Sequence, residues 1–217
     1  MKLICVLISM ILGYGFGCFQ TAYIIGRLNH IDIREYGSGN AGTTNALRTL
    51  GKGAALCTFL GDALKGMFAV WIVRFFLAPM VPEINPTFLC LLTGFCAVLG
   101  HNFPFFLHFK GGKGIATTAA ITMAIDWRMG MVSLVIFVIL CAITRYVSVA
   151  SMMLVIAFPI TLTIFHGKEN GYIPMLIVAL CYTGLGIYRH RANIERLRNG
   201  TENRLGAKKM GDGESKK

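Results

Sequence analysis

Apolar runs long enough to cross a bilayer dominate this chain, and no other feature narrows its fold as sharply. No charged residue occurs from Leu3 to Gly26, and at about 1.5 Å of rise per helical residue such a run crosses a hydrocarbon core roughly 30 Å thick. Within a bilayer the backbone must satisfy its own N–H and C=O groups, which a helix does. Comparable runs follow over Ala54–Met80, despite the charges Asp62, Lys65 and Arg74 within it, and over Thr87–Phe103, Met129–Thr144, Tyr146–Phe165 and Tyr172–Tyr188. Ile115–Ile125 is short for a crossing and leads into Asp126, Trp127 and Arg128. A turn there sets both charges and the indole at an interface, whereas one continuous span would hold the charges mid-membrane. The expectation is an all-α integral membrane protein with seven transmembrane helices.

Composition supports a single membrane unit. With 55% hydrophobic residues, 14% charged residues and a mean hydropathy of +0.62, the chain is too apolar for an ordinary soluble domain. One polytopic domain is expected over 1–204, followed at 205–217 by a basic tail expected to be disordered and cytoplasmic. Lys2 precedes the first run, but no A-x-A-like cleavage site follows, and Gly17-Cys18 lacks the leucine of a lipoprotein signal. Gly13, Gly15 and Gly17 instead suit close approach of a neighbouring helix. Asp62 and Lys65, three apart within the second run, suit an ion pair facing the bundle interior. The seven cysteines are scattered singly through apolar runs and read as small buried hydrophobes, not as disulfide or zinc ligands.

The 21 Lys+Arg against 10 Asp+Glu give a formal net charge of +11. Much of it lies at the C-terminus, in Arg189, Arg191, Arg196, Arg198, Arg204, Lys208, Lys209, Lys216 and Lys217. The positive-inside rule places this end in the cytoplasm, and an odd number of crossings then places the N-terminus outside. The basic tail lacks interleaved aromatics, so no nucleic-acid partner is expected. With this topology, the polar segments around Ser38, Lys113 and His190 all face the cytoplasm and can form one site.

The first segment, Gly37 to Gly51, satisfies G-x-G-x-x-G with Gly37, Gly39 and Gly42, but no βαβ unit surrounds it and a dinucleotide site is rejected. Its glycines expose backbone N–H groups, Ser38, Asn40, Thr43 and Asn45 supply hydrogen bonds, and Arg48 offers a planar fork for phosphate. The second holds Lys110, Gly111, Gly112, Lys113 and Gly114, cationic and bare of bulk, whose N–H groups and two ammonium groups suit a phosphate. Its spacing is not that of a P-loop, which excludes an NTPase of that kind. In the third, Ile194 and Leu197 suit a short amphipathic helix that brings His190 and Asn193 together.

Taken together, Gly37 to Arg48, Gly100-His101-Asn102-Phe103-Pro104 with Phe109 to Gly114, and His190 with Asn193, Ile194, Arg196, Leu197, Gly200 and Glu202 resemble the bacterial acyl-phosphate:glycerol-3-phosphate acyltransferases of the PlsY type. The likeness covers the chain up to Arg204. Thr43 stands where that family's pattern has alanine. The resemblance implies transfer of a fatty acyl group from acyl phosphate to the 1-hydroxyl of glycerol 3-phosphate, giving lysophosphatidic acid and phosphate, the first step of phospholipid biosynthesis. It implies catalytic roles for Ser38, Arg48, His190 and Asn193, a glycerol-phosphate loop at Lys110, Gly111, Gly112, Lys113 and Gly114 with Asn40 nearby, and a structural role for Glu202. A monomer in the bacterial inner membrane is expected, with its active site on the cytoplasmic face; carboxylates are scarce in the three segments, so no metal is expected, nor a cofactor.

Elementary chemistry agrees. An acyl phosphate is a mixed anhydride with a good leaving group, so binding and orienting two anions is the main task, and no covalent nucleophile is required. An organic-phosphate transporter competes, because basic loops beside membrane helices also suit an anion pathway. Yet no inverted repeat is visible and the polar residues gather at one face. A purely structural membrane protein leaves the three motifs unexplained.

Overall fold

Each apolar run folds as a helix that ends where the sequence turns polar or meets glycine. The computed structural model describes residues 1–206, through which run α1 (Lys2–Cys18), α2 (Thr21–Leu28), α3 (Thr43–Thr49), α4 (Lys52–Ile72), α5 (Pro86–Asn102), α6 (Ile115–Ile125), α7 (Trp127–Thr144), α8 (Val147–His166), α9 (Tyr172–Arg189) and α10 (Arg191–Arg198). Among the described residues six helical stretches are long and apolar enough to cross a membrane, with α1 and α2 together forming one of them. The exterior is that of a protein in lipid: Ile11, Phe75 and Ile143 are 72%, 64% and 76% exposed.

The short α6, of 11 residues, falls below that length. Even so it joins the two ends of the bundle. It begins at Gly114 in the glycine loop and ends at Asp126, whose Oδ2 lies 3.1 Å from His166 Nε2 at the last residue of α8. Asp126 also accepts from the Arg128 backbone N–H at 2.9 Å and so starts α7. A π-helical turn, Val73–Leu77, extends α4 and carries Arg74 to the end of α6. There its Nη1 donates to Ala124 O at 3.3 Å and Ile125 O at 2.7 Å, satisfying carbonyls that a helix end would leave unpaired in an apolar setting.

Central in the bundle is α5, which packs against α1, α4, α6 and α9. Its contact with α1 is backbone on backbone. A Cβ added at Gly13 would stand 2.2 Å from Thr93 O, and one at Gly17 would stand 2.0 Å from Ala97 O. Gly15 faces open space and takes no part in this interface, contrary to the expectation that all three glycines serve helix approach. On the other side of α5, Tyr182 of α9 donates to Leu91 O at 3.0 Å and packs edge-on against Phe95 and Phe158.

Asp62 and Lys65 form the expected pair at 2.9 Å and are 2% and 5% exposed. Residues 207–217, the greater part of the expected basic tail, lie outside the described residues. Leu205 is anchored, its backbone N–H donating to Arg145 O at 2.7 Å in the α7–α8 turn.

Candidate active site

A cavity of about 560 Å³ opens at the end of the bundle where the three polar segments meet. Ser38, Gly39 and Asn40 come from the first, His108 to Gly111 with Lys113 from the second, and Arg189, Asn193 and Arg196 from the third. Two larger grooves are lined mainly by apolar side chains: one of about 780 Å³ beside Trp71 and Trp127, and one of about 650 Å³ between α1 and α4. Neither gathers the polar segments.

Local backbone geometry presents Ser38. Gly37 and Gly39 on either side of it have φ of +61° and +69°, which glycine adopts without a Cβ penalty. Asn45, 1% exposed, anchors the turn from inside: its Oδ1 accepts from Ser38 N at 2.8 Å, and its Nδ2 donates to Ile33 O and Tyr36 O at 3.0 Å each. Asn45 therefore shapes the loop and does not face a ligand, contrary to the expectation that it supplies a hydrogen bond to phosphate. The Thr43 hydroxyl is likewise turned inward, with no partner among the described residues.

The glycine loop departs from expectation in one respect that bears on the chemistry. The Gly111 and Gly112 N–H groups donate to Asn102 O and His101 O, both at 3.1 Å, at the C-terminal end of α5. They are not available to cradle a phosphate. These glycines serve close packing instead, since a Cβ on Gly111 would lie 2.0 Å from His101 O and one on Gly112 would lie 2.0 Å from His101 Nε2. Arg189 grips the other side of the same peptides, its Nη2 donating to Gly111 O at 3.0 Å and Gly112 O at 2.7 Å. Gly114, at φ +76°, turns the chain into α6.

The clamped loop delivers Lys113 to the third segment. Its Nζ donates to Asn193 Oδ1, and Asn193 Nδ2 donates to Glu202 at 2.8 Å. Glu202 also accepts from Arg196 Nε at 2.8 Å and Ser148 Oγ at 3.0 Å. Burial would raise the Glu202 carboxyl, but these hydrogen bonds outweigh it and hold the group below its ordinary range. Burial, with Arg196, Arg189 and Arg48 nearby and only Glu202 opposing, brings Lys113 down to about 8.

His190 and Arg48 do not line the cavity. His190, 2% exposed, lies beneath its wall with Nδ1 2.8 Å from Gly186 O. A carbonyl only accepts, so Nδ1 carries the proton and the Nε2 lone pair is free. Burial and neighbouring Lys113 bring this ring down to about 4, so it is neutral at pH 7. Arg48, exposed on α3, is close enough to Glu202, Arg196 and Lys113 to join their field.

Two wall residues escaped the sequence reading. Arg34 binds Asp32 at 2.6 Å, donates to Leu107 O at 3.2 Å and stacks over Tyr23. They form a D-x-R step just before the glycines, which could have been noticed as a bidentate pair. Arg189 lay in plain view but reads as a topological cation; only the fold carries it to the glycine loop. Arg34 and Arg196 have carboxylate partners, whereas Lys110, Lys113, Arg189 and Arg48 have none among the described residues. The site therefore carries an excess of positive charge, as binding anions requires.

Comparison with known proteins agrees with this geometry. Residues 7–200 match the profile of the glycerol-3-phosphate acyltransferase family. A glycerol-3-phosphate acyltransferase of Clostridioides difficile (strain 630) is 43% identical over 210 residues, which are 96% of this chain and 100% of the relative. One from Alkaliphilus metalliredigens (strain QYMF) is 41% identical over 203 residues, 93% of this chain and 97% of that protein. Among solved structures, the glycerol 3-phosphate form of PlsY, an integral membrane glycerol 3-phosphate acyltransferase, superposes with a TM-score of 0.82 at 33% identity, covering 93% of this chain and 96% of that one. Its lysophosphatidic acid form gives 0.79 at 34% identity, covering 93% and 95%. With near-complete coverage in sequence and in fold, the chain belongs to the PlsY-type family of glycerol-3-phosphate acyltransferases, helical enzymes of the membrane.

Proposed function

We propose that this acyltransferase takes its acyl group from an acyl phosphate and passes it to the 1-hydroxyl of glycerol 3-phosphate, yielding lysophosphatidic acid and inorganic phosphate as the entry into phospholipid synthesis. The observation that carries this reading is the cavity at one end of the bundle, walled by Arg34 just before the first segment, Lys110 and Lys113 of the second and Arg189 and Arg196 of the third, and set among apolar, lipid-facing helices. Two phosphate-bearing substrates repel one another. The cations Lys110, Lys113, Arg189 and Arg48, which have no carboxylate partner among the described residues, offset that repulsion, with hydrogen bonds to charged groups contributing about 1.5–3 kcal/mol each.

Attack is direct. The glycerol hydroxyl oxygen bonds to the acyl carbon, the bond from that carbon to the phosphate oxygen breaks, and phosphate leaves with the electron pair. The hydroxyl proton passes to the Nε2 lone pair of His190 or to a phosphate oxygen. Ser38, Asn40 and Asn193 orient the substrates by hydrogen bonds, and Glu202 holds Asn193 and Arg196 in place. Gly111, Gly112 and Gly114 let the loop pack tightly enough to place Lys113. Ser38 acts as a donor and not as an acyl carrier: among the described residues no histidine is hydrogen-bonded to its hydroxyl, as nucleophilic activation would require. No metal or cofactor enters the scheme.

The polypeptide crosses the membrane seven times as a monomer, with residues 1–204 as one domain, α6 as a short crossing, the N-terminus outside and the site on the cytoplasmic face of the bacterial inner membrane. Detergent-purified protein given palmitoyl phosphate and glycerol 3-phosphate, without added metal, tests the reaction. Phosphate release should equal lysophosphatidic acid formed and be largely lost in Arg48→Ala. Activity with acyl-CoA or acyl carrier protein alone would reject the donor, and a hydroxylamine-sensitive acyl-Ser38 would reject direct attack.

A further inference from the structure

Behind the glycine loop, and outside the cavity, lies a buried polar cluster that the reaction scheme leaves unused. Lys65 of α4 directs Nζ at three groups: Phe19 O at the break between α1 and α2, Asp62 Oδ1 at 2.9 Å and His101 Nδ1 at 2.8 Å. An ammonium has three N–H donors and no lone pair, and here it has three acceptors. The amine is the stronger base by about four pH units in water, and either cation would occupy the same buried spot, so the shared proton resides on Lys65. His101 is then neutral, with Nδ1 accepting and the ring proton on Nε2.

That nitrogen faces Gly112. The glycine loop is keyed to His101 twice: through the ring, where a Cβ on Gly112 would stand 2.0 Å from Nε2, and through the backbone, where Gly112 N donates to His101 O at 3.1 Å. Gln20 Nε2 donates to the same carbonyl at 3.0 Å. The break in the first span, the middle of α4 and the end of α5 thus converge on one histidine. The residue after Gly112 is Lys113, the cation bonded to Asn193.

We propose that Lys65 is a positioning residue of the acyltransferase site: its ammonium fixes the orientation and tautomer of His101, and His101 fixes the Gly111–Gly112 peptides and hence the placement of Lys113. The proposal rests on the functional reading above. The competing explanation is a self-neutralising ion pair with Asp62 that holds α4 in the bundle and does nothing for the loop.

The test compares wild type, Lys65→Met and the double variant Asp62→Asn/Lys65→Met, which leaves no uncompensated charge. Glycerol 3-phosphate binding is measured by calorimetry, turnover with palmitoyl phosphate, and unfolding by a thermal shift in detergent. Positioning predicts that both variants bind glycerol 3-phosphate at least tenfold more weakly, with the double variant regaining thermal stability but not affinity. Affinity within threefold of wild type in the double variant would overturn it. If neither variant folds, nitrogen-15 NMR of histidine-labelled wild type decides, with the other four histidines assigned by substitution. A His101 ring protonated on Nε2 alone at pH 7 supports the proposal, and a ring protonated on Nδ1 sinks it. Wild type that binds glycerol 3-phosphate without turnover on palmitoyl phosphate rejects the proposed donor and leaves the binding comparison intact.

Discussion

On the proposed reading, Lys113 sets the pH dependence of the site. Its ammonium is lost as pH rises through about 8, because burial and neighbouring cations favour the neutral amine. KM for glycerol 3-phosphate should therefore be flat near pH 7 and rise roughly tenfold per pH unit well above 8, while Lys113→Met should raise KM roughly tenfold to hundredfold at pH 7. His190 acts in the opposite range. Its ring falls to about 4 in the folded protein, so the unfolded chain binds the extra proton first as pH drops from 6.5 toward 4, and stability declines across that window. The contribution lost is about 3 kcal/mol, and a thermal shift between pH 7 and pH 4 should be smaller in His190→Gln than in wild type. Gly112→Ala would drive a Cβ onto the His101 ring and should abolish most activity, whereas Gly53→Ala, with open space at its Cβ, should leave it unchanged. Ser38 and Lys113, which line the cavity, were legible as candidates because their glycine-flanked settings suit anion binding, and Asn193 because a short amphipathic helix and the family resemblance point to it. That the Gly111 and Gly112 N–H groups were already committed was not, since a hydrogen bond to a carbonyl on α5 leaves no mark in the order of residues.

At the scale of elements, glycine sets how closely helices approach. Gly17→Ala should cost about 1–3 kcal/mol by overpacking α1 against the Ala97 carbonyl. Gly15→Ala meets nothing and should be neutral or slightly stabilising, which thermal unfolding of the two variants would separate. The sequence shows an alternating glycine row and cannot say which members face a partner, because that depends on the rotation of α1 about its axis. A similar dependence governs α6. Its apolar character and the polar break at Asp126 are legible, but the device that allows so short a helix to end in the bundle is Arg74, which caps carbonyls 50 and 51 positions further on. Arg74 read only as a charge within a span.

For the whole molecule, hydrogen bonds tie together the turns at each end of the bundle. At one end Arg145 O meets Leu205 N and Ser148 meets Glu202; at the other, Asn85 meets Glu169 at 3.0 Å and His166 meets Asp126. Cysteines introduced at the exposed positions Lys168 and Asn199 should therefore label from opposite sides of intact cells with a membrane-impermeant thiol reagent. Labelling from the same side would overturn α9 as a crossing. The runs of apolar residues determined by themselves that the chain is a helical membrane protein, since length and hydrophobicity suffice where the backbone must satisfy its own hydrogen bonds. The three polar motifs, with their parity along the chain, were enough to bring one anion site into view. What only the tertiary structure decided is the division of labour within it: Asn45 inside the loop, His190 beneath the wall, Arg189 on the glycine loop and Lys65 against His101. Those assignments depend on which helix faces meet across the bundle, and contacts between residues dozens of positions apart are fixed by packing, not by the local pattern of the chain.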